Sequence, residues 1–188
     1  MRPVVIRGSV MKKPLLFLFL ILGTSFLHAQ YEGIWEGYDG EWDHVSRQLI
    51  GLAEATPQDK FAWRPAPGVR STSEVYMHIA LANFYLLSVT GPPMPPDIKS
   101  EDMEKTVTSK ADVIAFLKRS LVAVKTARAQ LKPGDLQRHV KIMNKDVTVD
   151  GMYLRIIVHD NEHMGQLIAY ARMNGIVPPW STGSAEKK

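Results

Sequence analysis

The sequence predicts an all-α protein, a four-helix bundle with one long crossover connection. Three observations support this prediction: four amphipathic stretches of similar length, turn-rich segments between them, and a globular composition of 45% hydrophobic and 22% charged residues. The 188-residue chain is long enough for one domain with a substantial core. It contains no cysteine, which excludes disulfide scaffolds, cysteine-based metal sites and a cysteine nucleophile.

The first predicted helix spans residues 31–55 and the second spans residues 72–89. Apolar side chains of the first helix recur every three or four positions, at Trp35, Tyr38, Trp42, Val45, Leu49 and Leu52. Ser71 and Glu74 form the S-x-x-E pattern of a capping box at the start of the second helix. A glycine followed by four prolines among residues 91–96 then ends this helix.

The charged, irregular segment up to residue 108 is long enough to cross the length of a helix bundle. Ser109 is expected to cap the third helix, residues 110–131. Alternating apolar residues between Arg138 and Val149 weakly indicate a hairpin that turns around Asn144-Lys145. The fourth helix is predicted over residues 150–174, before Gly175 and a pair of prolines.

The net charge of +4 and the pI near 9.3 come from the amino terminus. Residues 1–29 contain four basic residues and no acidic one, which leaves 19 basic and 19 acidic residues in the rest of the chain. There is no glycine-rich phosphate loop and no basic stripe interleaved with aromatic residues. We therefore expect no nucleic-acid partner.

The amino terminus has the order of a secretory signal peptide. Two lysines precede an apolar run over residues 15–22, and small residues follow as far as Ala29. The run is short for a membrane span of about 20 residues, so an uncleaved anchor is the weaker interpretation. We expect cleavage near Ala29, a periplasmic or secreted product and no stable membrane anchor.

Met11 lies directly before the lysines, which makes residues 1–10 a doubtful extension. The expected domain is residues 30–180, and residues 181–188 are expected to form a disordered tail.

The strongest chemical signal is His159-Asp160-Asn161-Glu162-His163, inside the fourth predicted helix. Residues four apart on a helix lie about 5–6 Å apart on one face, so both imidazoles can reach one metal ion. His78 lies on the apolar face of the second helix, between Val75 and Ala82. Three histidines from two helices provide the ligand count of a catalytic site with an open position. Imidazole ligands suit zinc, nickel, copper or iron(II), while three unrelated histidines are the alternative.

Two peptidase motifs are close to the same stretch. The pattern H-E-x-x-H fails because Asp160 stands where the glutamate base would be, whereas H-x-x-E-H is matched by Glu162 before His163. Both peptidase classes take a further ligand from downstream. Only 25 residues follow His163, with no histidine and Glu186 as their sole carboxylate side chain. A peptidase is therefore disfavoured.

Further residues are predicted to surround the three histidines. Those expected to line a pocket or to contact the ligands are His44, Asn83, Tyr153 and Gln166. For His44, a surface or supporting position is favoured over a role as fourth ligand. Asp160 and Glu162 are predicted to lie off the histidine face as solvated carboxylates, although a contact to an imidazole is open to either. His139 is expected to be exposed in the hairpin.

These motifs resemble the DinB-like family, of the DinB/YfiT type. The resemblance rests on His78-Ile79-Ala80, on the pattern H-x-x-x-H-x-x-Q that begins at His159, and on residues 172–179. The stretch Trp63-Arg64-Pro65-Ala66-Pro67-Gly68 before a serine-capped helix fits the same pattern. The resemblance covers residues 31–180.

The resemblance implies a bundle with a long crossover that is often a homodimer. It also implies a divalent metal (zinc, nickel or iron) held by His78, His159 and His163. Members of this family include thiol-dependent S-transferases, hydrolase-like proteins and proteins without a known reaction. Low-molecular-weight thiols are cytoplasmic, so the predicted export favours metal-dependent hydrolysis of an unknown small molecule, or metal binding alone, over thiol transfer. A non-catalytic or structural bundle is the alternative to an enzyme.

Overall fold

Four long helices form the body of the protein in the computed structural model, which describes residues 36–100 and 102–182. The elements are α1 (Tyr38–Ala55), α2 (Thr72–Thr90), a short α3 (Met103–Thr106), α4 (Lys110–Ala129), the hairpin strands β1 (His139–Ile142) and β2 (Lys145–Thr148), and α5 (Val149–Met173). The prediction of an all-α bundle is confirmed. The crossover from α2 to α4 contains α3, which the sequence did not indicate.

The amino-terminal boundary of α1 differs from the prediction. Helix α1 begins at Tyr38 rather than residue 31, because Gly37 has a φ of 84° and a ψ of −155°, which helical backbone cannot adopt. Trp35 and the predicted signal peptide (residues 1–29) lie outside the described residues, as does most of the predicted tail, from residue 183 onward. Among the residues described, no helix combines the length and apolar character needed to cross a membrane.

Side-chain caps define where the other long helices begin. The Ser71 Oγ accepts a hydrogen bond from the Glu74 backbone N–H at 3.3 Å, and the Ser71 N–H donates to the Glu74 carboxylate at 2.6 Å. This is the predicted capping box. Ser109 caps α4, as predicted, and Thr148 caps α5. The cap at Ser71 fixes the start of α2, the helix that carries His78.

Replacing Ser71 by alanine is expected to lower the free energy of unfolding by about 1 kcal/mol and the melting temperature by about 2–4 °C. The Glu74 N–H would lose its acceptor at a buried helix start. Urea and thermal unfolding followed by circular dichroism measure the change. Ser88→Ala is the matched control, because the Ser88 hydroxyl donates only to the Tyr85 carbonyl near the other end of α2. Equal stability of the two variants would show that the cap contributes nothing.

The hairpin is confirmed, with its turn one residue earlier than predicted. Val140 pairs with Val147 and Ile142 with Lys145, so the two turn residues are Met143 and Asn144. Both turn residues have positive φ values, 46° and 61°, as a two-residue hairpin turn of this hand requires. Exposed His139 contacts Asp146 at 3.0 Å, as expected for a histidine away from the core.

Helix α2 is central to the packing, since it lies against both α4 and α5. Helix α1 completes the bundle by packing against α4 and α5. The largest fully buried side chains include Trp42, Tyr76, Tyr153 and Phe61. Because α2 and α5 are neighbours, the faces that carry the three predicted ligands meet.

Candidate metal centre

The three histidines predicted as ligands converge at the contact between α2 and α5. One ring nitrogen from each of His78, His159 and His163 lies within 4.8 Å of the other two. The Nε2 atoms of His78 and His159 are 3.2 Å apart. His159 and His163 are one helical turn apart, and packing of α5 on α2 brings His78 opposite them. Three imidazoles at these distances could hold one metal ion.

Two of the three rings are oriented by a hydrogen bond to the nitrogen that faces away from the cluster. His78 Nδ1 lies 3.0 Å from Glu104 Oε2, and His163 Nδ1 lies 2.9 Å from Gln166 Oε1. Gln166 in turn donates to the Tyr170 hydroxyl at 2.8 Å. These contacts direct the Nε2 atoms of His78 and His163 towards the cluster. Such partners of ligating histidines fix the tautomer and the ring orientation.

The surroundings of the three imidazoles favour their neutral form, which is the form that binds metal. Burial lowers the pKa of all three histidines below the ordinary value of 6.5. The Arg70 guanidinium lowers the pKa of His78 further, and Arg155 does the same for His159. A neutral imidazole offers a lone pair to a cation without first losing a proton. The donor set, its spacing and its protonation therefore fit a divalent metal ion.

The third ring, His159, lies beside a buried carboxyl group. His159 Nδ1 and Asp160 Oδ1 are 3.9 Å apart, and within the described part of the chain neither buried atom has a hydrogen-bond partner. Asp160 Oδ2 accepts a hydrogen bond from Asn83 Nδ2 at 3.2 Å. The side chain of Asp160 is 0% exposed, so the prediction that it is solvated is wrong. Asp160 lies on the apolar stripe of α5 with Tyr153, Ile157 and Met164, which faces the bundle interior.

Burial raises the pKa of Asp160 from 3.8 to about 8, which gives the metal-free protein a testable pH dependence. A raised carboxyl pKa makes the fold most stable at low pH, and that contribution is lost as pH rises through the folded pKa. The lowered pKa values of the three histidines act in the opposite direction, mainly below about pH 7, where histidines of the unfolded chain bind protons. From about pH 7 to 8 we therefore expect the unfolding free energy to fall by roughly 1 kcal/mol.

The variant Asp160→Asn should remove this decline, because asparagine does not titrate. Urea unfolding of chelator-treated protein at several pH values measures the slope. Asp146→Asn is the control, since Asp146 is exposed on the hairpin, and it should keep the wild-type slope. If Asp160→Asn also keeps that slope, Asp160 is not the titrating group.

The other residues predicted to lie near the histidines differ in where the structure places them. Gln166 contacts His163 at 2.9 Å. Asn83 is fully buried and contacts Asp160. Tyr153 is 1% exposed and packs edge-on against Tyr38 in the core. His44 is partly buried on α1 and is not one of the converging histidines. Glu162 is exposed and pairs with Arg155, as predicted for a solvated carboxylate.

Glu104 is the site residue that the sequence did not reveal. It lies in α3, and its two carboxylate oxygens contact Arg70 Nε at 2.6 Å and His78 Nδ1 at 3.0 Å. The crossover thus reaches back to the histidine cluster. No periodicity or motif marks this segment, so no local signal in the sequence points to Glu104.

A cleft of about 390 Å³ opens beside His78, between α2 and the crossover. We call it the α2 cleft. Five polar residues line it, Arg70, His78, Lys99, Ser100 and Glu104, and we call the part of the cleft where Arg70 and Glu104 meet His78 its polar end. The other lining residues are Leu81, Ala82, Tyr85, Met94 and Ile98. The volume lies in the range of small-molecule sites. His78 of the cluster therefore borders a space that can admit a small molecule.

The fold and this cluster define a class of protein: four-helix bundles with a three-histidine centre between their second and last long helices. The chain belongs to the DinB superfamily, whose family profile matches residues 41–167, more than half of its length. The resemblance inferred from the histidine spacing is thereby confirmed.

Two solved structures share the fold. A DinB-like protein from Bacillus cereus aligns with a TM-score of 0.63 at 20% identity, over 77% of this chain and 95% of that one. A DinB-like protein (YjoA) from Bacillus subtilis aligns with a TM-score of 0.61 at 22% identity, over 74% and 93%. No curated protein gives a significant match. At these identities the likeness concerns the fold.

Proposed function

We propose that this protein binds one divalent metal ion through His78, His159 and His163 and uses it in the hydrolysis of a small molecule. The observation that carries the proposal is the convergence of three ring nitrogens within 4.8 Å beside the α2 cleft. In the described part of the chain no fourth histidine or carboxylate joins this cluster, so coordination positions are left for a substrate or water.

The bound ion would supply Lewis-acid chemistry, polarising a carbonyl or phosphoryl oxygen or activating a water. The protein's own groups have defined tasks around it. Glu104 and Gln166 hold His78 and His163 in the ligating orientation, and the buried Asp160 lies behind His159. Arg70 and Lys99 place positive charge at the polar end of the α2 cleft. Together they would orient a substrate against the open side of the cluster.

Export is part of the proposal, because the first 29 residues have the order of a cleavable leader. Outside the cytoplasm, small thiol cofactors are scarce, which favours hydrolysis over thiol transfer. A homodimer is the expected assembly and follows from the family alone. Mass spectrometry of the periplasmic or secreted product tests the leader. A mature chain beginning near Gln30 supports export, and an intact amino terminus in the cytoplasm contradicts it.

Metal binding without turnover is the second candidate, and one observation favours it. Both oxygens of Glu104, the carboxylate at the polar end of the cleft, are engaged by Arg70 and His78. Glu104, the carboxylate that the described residues place on the cleft side of the cluster, is therefore not free to act as a base. A purely metal-binding or structural bundle needs none.

Elemental analysis and a substrate screen on the purified full chain distinguish the two candidates. The enzyme proposal predicts about one metal ion per chain and turnover of a hydrolytic substrate that chelation abolishes and metal restores. Full metal content, a melting temperature that falls on chelation, and no turnover of ester, amide, phosphoester or thiol-transfer substrates would favour the binding role. A purified chain that neither contains nor takes up a divalent metal overturns both.

A further inference from the structure

We propose that the α2 cleft binds an amphipathic anion, a carboxylate or similar anionic head on an apolar chain, with the head next to the histidine cluster. This inference rests on the proposed metal site and names the class of molecule that the site takes. Two independent features carry it: the separation of polar and apolar walls along the cleft, and the balance of charge at its polar end.

The apolar wall follows α2 away from the cluster. Leu81 and Tyr85 lie three and seven residues beyond His78 on this helix and line the cleft with it. At 1.5 Å per residue, Tyr85 is about 10 Å further along the helix axis than His78. Met94 and Ile98 complete this wall from the crossover. Tyr85 is 45% and Met94 is 37% exposed, so the cleft presents apolar surface that a ligand chain would cover.

The chain direction places the polar groups at the opposite end. The crossover leaves the carboxyl end of α2 after Thr90 and has returned to His78 by Glu104. Lys99 and Ser100 therefore follow the apolar Met94 and Ile98 on the way to the cluster. A ligand lying along the cleft would meet apolar side chains at one end and charged groups at the other.

The polar end carries excess positive charge among the described residues. Glu104 is the carboxylate there, and its charge is shared between Arg70 at 2.6 Å and His78 at 3.0 Å. Lys99 has no ion-pair partner in the described ranges and lines the same space. A divalent cation on the histidines would add to the positive charge at this end of the cleft. An anionic head would therefore be attracted to this end by Lys99 and the metal together.

Isothermal titration of the Zn²⁺-loaded full chain with octanoate, octanamide and hexanoate tests the inference. Octanoate should bind at least about tenfold more tightly than the uncharged octanamide, because only the acid has a charged head. Hexanoate should bind about 5- to 15-fold more weakly than octanoate, because two methylene groups fewer are buried against the apolar wall. Equal affinity for octanoate and octanamide, or no dependence on chain length, would overturn the inference.

Variants locate the ligand in the α2 cleft. Lys99→Gln should weaken octanoate binding about threefold to tenfold with full zinc content. The control Lys118→Gln removes an exposed lysine that pairs with Glu54 at 2.7 Å, and it should bind octanoate like the wild type. Tyr85→Ala should weaken octanoate and octanamide equally, because it removes only apolar contact. Unchanged octanoate affinity in Lys99→Gln and Tyr85→Ala would place the ligand elsewhere and overturn the inference.

Zinc content measured on the same samples separates this inference from the proposed function. Full zinc with no preference for octanoate over octanamide contradicts the ligand class and leaves the metal site standing. A wild-type chain that holds no zinc contradicts the metal site, and the octanoate and octanamide affinities of that sample still decide the preference of the cleft.

Discussion

Replacing His159 by alanine is expected to reduce zinc affinity by at least about 100-fold and to leave the purified chain with almost no metal. The ring supplies one of three nitrogens, and its Nε2 lies 3.2 Å from that of His78. Two imidazoles alone make a weak site, because the vacated position would be filled only by water. Elemental analysis and a competition titration with a chromophoric zinc chelator measure content and affinity.

His139→Ala is the matched control for this loss. It also removes one histidine, but His139 lies on the exposed hairpin, where its side chain hydrogen-bonds to Asp146 at 3.0 Å. Its zinc content and affinity should equal those of the wild type. Circular dichroism confirms that each variant remains folded. If folded His159→Ala binds zinc like the control, the three-histidine assignment is wrong.

Replacing Glu104 by glutamine is expected to weaken zinc binding about 10- to 100-fold without removing a ligand. The carboxylate holds the His78 ring through Nδ1 at 3.0 Å and makes that ring a stronger donor. It also pairs with Arg70 at 2.6 Å, so its loss would leave a guanidinium charge beside the metal without its partner. The same chelator competition measures the change.

Glu162→Gln is the control for the loss of one negative charge near the histidines without loss of a contact to them. Glu162 lies next to His163 in the chain, but it is exposed and pairs with Arg155. Removing its charge should change zinc affinity by no more than about twofold to threefold, because exposed charges are screened. Equal losses in the two variants would show that general electrostatics, rather than the contact of Glu104 with His78, sets the affinity.

Local signals in the sequence account for most of the fold. Apolar side chains spaced three and four apart, together with the caps at Ser71 and Ser109, locate the ends of the long helices within two residues, apart from the start of α1. The hairpin was visible as alternation, although its turn lies at Met143 and Asn144. The apolar spacing continues before Gly37 and so predicts an earlier start of α1 than the backbone conformation of Gly37 allows.

The part of the histidine cluster that lies on one helix is predictable from the sequence. The spacing of His159 and His163 is a property of one helix, and the position of His78 on an apolar face pointed to the interior. Their meeting requires α2 and α5 to be neighbours, which the family resemblance implied and the structure confirms.

Asp160 and Glu104 show where local reasoning fails. Its position off the histidine face predicts that Asp160 is solvated, but α5 packs against both α1 and α2 and is buried along a second stripe. Buried Tyr153, Ile157 and Met164 share this stripe, so their spacing was a usable signal. Glu104 reaches the site through the path of the crossover, which no periodic pattern encodes.

The central claim is that His78, His159 and His163 hold one metal ion with an open side. A crystal structure of the zinc-loaded full chain, with anomalous difference maps at the zinc edge, tests it most directly. We predict one strong peak about 2.0–2.1 Å from an Nε2 atom of each histidine, with at least one further position occupied by solvent or a small molecule. No peak at the cluster, or a peak held by other residues, would contradict the claim.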